Sequence, residues 1–205
     1  VISGGRLTLG IGIGVRANDY SATGYHFHRR GKRAEEQLPM LRRLWSGEAL
    51  SDDVSAIGPM SPRPGGPEML IGGYVPAIVD RIAKWGDGYM APGGGEPEAM
   101  LKMWREIELA WQQAGRSEKP RWVGASYFAL GHNASEHATR YISANYGYNP
   151  DLAAKRLRTL PASTAAVEDA IKRQADMGVD EFILRPCAED FDQMDLLAEI
   201  AAQVR

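Results

Sequence analysis

The chain has 205 residues, 44% hydrophobic and 24% charged, the balance of an ordinary globular protein with one sizeable core. Its 24 Lys and Arg against 26 Asp and Glu leave a net charge of -2, which gives no electrostatic basis for holding nucleic acid or an anionic membrane. The single cysteine, Cys187, excludes an internal disulfide and a cysteine-rich metal site, and fits a buried strand-end residue in a reducing cytoplasm.

Residues 7–15, "LTLGIGIGV", read as a strand with two unlike faces. Leu7, Leu9, Ile11 and Ile13 fall on one side, and Thr8, Gly10, Gly12 and Gly14 on the other. A loop, "RANDYSATGYHFH", leads to the helical pattern "RGKRAEEQLPMLRRLW", in which Pro39 is expected to cost a hydrogen bond or kink the helix. Residues 46–67 read as a long surface loop. "EMLIGG" is a strand, followed by a helix with Pro76 in its first turn and Gly86 past its end. "GYMAP" is a third strand, and 97–114 a helix with Met100, Met103, Trp104, Ile107 and Trp111 as a core stripe. "RWVGASYFAL" is a fourth strand, and the helix after it opens on Asn133 and Glu136, the spacing of a capping box. Residues 148–162 suggest a helical turn before Pro161, and Ser163 caps the next helix. "EFILRPC" and a helix from about Asp190 to Val204 end the chain.

Five apolar strands alternating with helices argue for a parallel α/β sheet in a single domain over 1–205. An eightfold barrel needs three more units, so periodicity slightly favours an open, doubly wound sheet. No run is long and unbroken enough to span a bilayer, and the first residues lack a signal-peptide pattern.

The alternating glycines 10, 12 and 14 are not a dinucleotide fingerprint, which needs G-x-G-x-x-G at a strand-to-helix turn. "IGGYVPA" is the better candidate, since Gly72 and Gly73 close a strand and a helix N-terminus follows at once, a natural phosphate site. His26 and His28 lack a third ligand at metal spacing and read as polar surface. Arg29, Arg30, Lys32 and Arg33, with Glu35 and Glu36 close behind, read as a solvated helix start with internal ion pairs. There is no G-x-S-x-G elbow, H-E-x-x-H motif or P-loop.

Taken together, "SGGRLTLGIGIGVRANDYSATGYHFHRRGKRAEEQLPMLRRLW", "PGGPEMLIGGYVPAIVDRIAKWGDGYMAPGG" and "DEFILRPC" resemble, in order and spacing, the luciferase-like monooxygenase superfamily of flavin-dependent oxidoreductases. The resemblance implies a (β/α)8 TIM-barrel type of fold in place of the open sheet. It also implies a cofactor, FMN or coenzyme F420, used for monooxygenation or hydride transfer on a small-molecule substrate. In such proteins "SGGRL" precedes the fourth strand, so the chain corresponds to strands four to eight, the carboxy-terminal portion.

Matched by motif, Gly72, Gly73 and Tyr74 resemble the family's phosphate-binding turn through their backbone, although Tyr74 and Val75 replace small hydroxyl residues. Met90 and Ala91 resemble residues closing over the cofactor tail, and Asn18 matches a polar position near the coenzyme in some F420-using relatives. Ile13 stands where the luciferases place an arginine, and Tyr20 and His28 fall towards the barrel mouth. No catalytic acid or base and no metal ligand is assigned. Two other readings stand beside the enzyme: a non-catalytic flavin-binding or vestigial protein, and a ligand-free open domain. Five strands cannot close a barrel, so open edges are expected to pair with another copy, as a homo-oligomer, or with a missing amino-terminal segment.

Overall fold

The computed structural model describes residues 2–204, and its elements begin and end at the glycines, prolines and polar caps that punctuate the chain. In chain order these are β1 (Thr8–Ile11), α1 (Ala17–Ala22), a 3-10 turn (Phe27–Arg29), α2 (Arg30–Trp45), β2 (Glu68–Gly72), α3 (Ala77–Trp85) and β3 (Gly88–Met90). There follow α4 (Pro97–Gln113), β4 (Arg121–Phe128), α5 (Ala134–Tyr146), α6 (Pro150–Thr159), α7 (Thr164–Asp176), β5 (Glu181–Pro186) and α8 (Asp192–Gln203). The sheet order is that of the chain, β1-β2-β3-β4-β5. The β1·β2 and β4·β5 pairs are parallel, which is why helices separate these strands in sequence. The chain divides into two compact units, residues up to Tyr89 with Glu106–Arg121, and Met90–Arg105 with Trp122 onward.

In the first unit the core is Met69, Leu70 and Ile71 of β2 with Ile78 and Ile82 of α3 and Leu38 of α2, all at most 2% exposed. Packing of Ala34 and Leu38 carries α2 straight through Pro39, so burial of the apolar face outweighs the lost bond. Asp87, at the turn between α3 and β3, accepts Arg42 Nη2 and the Met69 N–H, each at 2.8 Å, and Arg63 approaches it at 3.5 Å. Its own N–H donates to the Met69 carbonyl at 2.7 Å. Arg42 also donates to the Trp85 and Gly65 carbonyls, which ties residues 46–67 to the turn.

Three expectations are corrected in this unit. The loop expected over 16–28 contains α1 and runs into the 3-10 turn. The glycine-striped strand ends at Ile11, and Gly14 turns the chain at φ 72°. Among the described residues the basic run forms no internal ion pairs: Arg30 lies over the Phe27 ring at 3.7 Å, Arg33 over Tyr25 at 3.3 Å, and Glu35 pairs with buried Arg81 of α3 at 2.6 Å. An arginine loses less by stacking on an aromatic face than by crossing open solvent to a mobile carboxylate.

The second unit uses the same sheet-end device. Asp180, just before β5, accepts the Trp122 N–H at 2.7 Å and donates its own N–H to the Trp122 carbonyl at 2.9 Å. Phe128, Leu130, Val167 and Ile200 form one buried cluster, and Ala129, Ala134, Ala138 and Cys187 another. Buried Gln193 of α8 gives and receives a 2.8 Å bond with the backbone of Leu130. Trp104 of α4 stacks on Trp122 with ring centroids 4.7 Å apart. The capping box does not form, because Asn133 sits at φ -104°, ψ 24° with no side-chain bond to the helix. The turn expected in 148–162 is a ten-residue helix capped by Asn149, whose side chain accepts the Leu152 N–H. Ser163 caps α7 as expected. Asp87→Ala leaves Arg42 without its carboxylate and the Met69 N–H unpaired, and is expected to lower unfolding stability by about 2–3 kcal/mol in a urea titration, whereas Glu48→Ala, on the exposed Arg43 pair, changes it little.

Candidate functional site

Parallel strands deliver their ligand groups at their C-terminal ends, where the turns into helices leave backbone N–H groups unpaired. In the first unit β2 ends at Gly72, which is half-buried, and the turn Tyr74–Ala77 is exposed. Gly73 is required by packing, since a Cβ there would lie 2.8 Å from Ile78 Cγ2. The Gly73 carbonyl accepts the Tyr89 hydroxyl at 3.1 Å. Burial, reinforced by Tyr74, pushes the Tyr89 pKa well up, so the phenol stays a donor. At the start of α3 the N–H groups of Ile78 and Val79 are taken by the Val75 and Pro76 carbonyls, each at 3.0 Å. The exposed residues before α3 thus stand at the positive end of its dipole, with Asp80 the acid in the first helical turn.

Asn18 lies exposed in α1. Tyr20 hydrogen bonds to the Ile13 carbonyl and packs edge-on against Phe27, at a ring distance of 5.5 Å. His26 and His28 are exposed, and among the described residues no three His, Cys, Asp or Glu come together as a metal site.

In the second unit Met90 is half-buried, while Ala91 is fully buried and donates its N–H to the Val123 carbonyl at 2.7 Å. The glycine loop behind it packs on β4: a Cβ on Gly93 would lie 2.5 Å from the Ala125 carbonyl oxygen. A cavity of about 470 Å³ is lined by Gly95, Ser126, Arg158, Asp169, Arg173 and Gln174, among others, and the Gln174 Oε1 is buried without a hydrogen-bond partner. Cys187 is buried beyond β5 and its N–H donates to the Phe128 carbonyl at 2.9 Å. Burial pushes its thiol up to about 11, which removes it as a nucleophile at neutral pH.

Residue-by-residue matching missed Tyr89, which fixes the Gly73 carbonyl, and a cluster at the ends of β4 and β5. There Tyr127 and Tyr146 share a hydroxyl bond of 3.0 Å, and Arg185 lies over the Tyr127 ring at 4.5 Å. The available signal is in the pattern: in "GASYFAL" and "FILRPC" one large polar side chain interrupts an apolar run just before its end.

These features define an α/β protein of successive β/α units. The chain belongs to the luciferase-like monooxygenase family, whose model matches residues 1–190. It is similar to an F420-dependent glucose-6-phosphate dehydrogenase of Kribbella flavida, 32% identical over 126 residues, 55% of this chain and 36% of that protein. An F420-dependent hydroxymycolic acid dehydrogenase of Mycobacterium tuberculosis is 27% identical over 141 residues, 63% of this chain and 38% of that one. An uncharacterized M. tuberculosis protein is 31% identical over 120 residues, 56% of this chain and 41% of that one, so the chain spans about two fifths of the curated relatives it matches. A monooxygenase structure from Streptomyces bottropensis superposes with TM-score 0.76 at 21% identity, covering 98% of this chain and 70% of that one. An F420-dependent secondary alcohol dehydrogenase gives 0.70 at 16%, covering 98% and 69%. The fold is thus of the TIM-barrel type, with five β/α units present, which corrects the open sheet favoured by periodicity.

Two outcomes follow for this site. Gly73→Ala is expected to cost about 1–3 kcal/mol by driving a methyl against the Ile78 Cγ2 branch, and Ile78→Leu in the same chain, which lacks that branch, to recover part of it, as read by thermal unfolding. Cys187 is expected to resist iodoacetamide at pH 8 until the chain unfolds. The unfolded thiol ionises near 9.0 and the folded one near 11, so this residue's share of stability is whole below pH 9 and is lost as pH rises to 11.

Proposed function

We propose that the protein is an oxidoreductase that uses coenzyme F420, or the related FMN, to move a hydride to or from a small molecule. The observation that carries this reading is the exposed Tyr74–Ala77 turn after the β2 glycines. It is anchored below by Ile78 and from the side by the Tyr89 hydroxyl on the Gly73 carbonyl, and it stands at the positive end of the α3 dipole. The phosphate-bearing tail common to both cofactors fits that turn, with Gly72, Gly73 and Tyr74 as its backbone contacts. The F420-dependent dehydrogenases among the curated relatives favour F420 over FMN. When bound, the cofactor supplies the hydride; this chain's residues hold its tail, orient it and exclude water. Asn18, exposed in the same unit, is proposed as a further cofactor contact. Tyr89, held protonated by burial, keeps the turn in one geometry across the working pH range.

Titration of the purified full-length protein with F420 and with FMN, read by cofactor fluorescence, tests the reading. Saturable F420 binding, followed by turnover of the reduced cofactor, is expected. Binding without turnover would favour the non-catalytic flavin-binding protein instead, and binding of neither cofactor would remove the proposal. Ala77→Glu places a carboxylate at the first residue of α3, where the helix dipole favours it, so folding is expected to be unchanged while F420 affinity falls about tenfold.

A further inference from the structure

We infer that the C-terminal ends of β4 and β5 form a recognition site for an organic anion, a carboxylate or a phosphate ester, built from Arg185, Tyr127 and Tyr146. Tyr127 and Arg185 are register partners in the parallel pair, so they share one face, each one residue short of its strand's end. Ala125 and Ile183, the next partners down that face, supply an apolar floor. The Arg185 guanidinium rests on the Tyr127 ring, and the ring is held in turn by Tyr141 at 5.2 Å and Tyr146 at 6.2 Å. Aromatic packing thus fixes the direction of an exposed arginine.

The donors in this cluster outnumber its acceptors. Two phenols joined by one bond spend one O–H on each other and leave the second to donate elsewhere. Arg185 makes no ion pair and no side-chain hydrogen bond among the described residues, and Asp190 on the following loop is turned to the Asp192 N–H instead. Burial and the Tyr127 bond raise the Tyr146 pKa, which keeps that phenol protonated as a donor. A fork of N–H donors beside a spare O–H, over an apolar floor, fits an acid group on an organic body. That this anion is the acid group of the substrate rests on the oxidoreductase reading; binding of the anion does not.

The test follows arginine Nε–H signals by NMR in the full-length protein at constant ionic strength, titrated with butyrate, methyl phosphate and neutral butyramide. The signal lost in Arg185→Gln identifies this residue. A saturable shift with butyrate or methyl phosphate and none with butyramide is expected, with affinity down about tenfold in Arg185→Gln, and partly kept in Arg185→Lys, which has the charge without the fork. Tyr146→Phe is expected to weaken binding about threefold. Saturation by one anion alone assigns the carboxylate or the phosphate class. No saturation by either, or equal affinity in Arg185→Gln, overturns the site. A protein that binds F420 but no anion loses this site alone; one that binds the anion but no cofactor keeps it and loses the oxidoreductase reading.

Discussion

A parallel strand that starts beside another leaves an N–H at its lower end with no sheet partner, and a buried N–H cannot be left unpaired cheaply. Both units answer with an aspartate at the start of the next strand in the sheet or just before it. Asp87 and Asp180 each take the orphan N–H with the side chain and return their own N–H to the same residue's carbonyl, at Met69 and at Trp122. The carboxylate of Asp87 brings a second obligation, because a half-buried anion must itself be matched. Arg42 and Arg63 match it, and Arg42 ties in Gly65 and Trp85 as well. The long proline-rich segment is thereby fastened at its far end by charge, where its composition offers little apolar area to bury.

Once the strand starts are held, the strand ends are free to be specialised. Gly73 has often-assumed freedom of approach for a ligand, yet the space its missing side chain leaves is filled by Ile78. Its use is therefore indirect: tight packing of α3 against the end of β2 lets the exposed residues after it stand in one conformation. At the end of β4 the fixing is done by aromatic rings, with Tyr141 and Tyr146 bracketing Tyr127.

Strand and helix placement was legible because buried strands read as unbroken apolar runs, and because Pro76, Gly86 and Ser163 mark helix ends by their own backbone chemistry. What escaped depended on partners distant in sequence. Glu35 looks like a mate for its neighbouring cations, but its partner Arg81 is 46 residues away, and Asn149 became legible as a cap only once 150–159 proved helical. Asn133 shows the reverse error, a correct spacing whose backbone lies outside the capping conformation. Of the candidate site, the Gly72–Tyr74 turn could be read from sequence, whereas the Tyr127–Arg185 pairing requires the β4·β5 register, which no local pattern states.

The tryptophans divide along the same line as the units. Trp104 and Trp122 lie nearly parallel, at 17°, so the second unit holds a stacked indole pair close enough for their electronic transitions to interact. Trp111 in the first unit has instead a guanidinium 3.4 Å from its ring centre, a charge held against its π face. Each unit therefore carries an indole environment of its own kind, one neutral and stacked, the other under a cation.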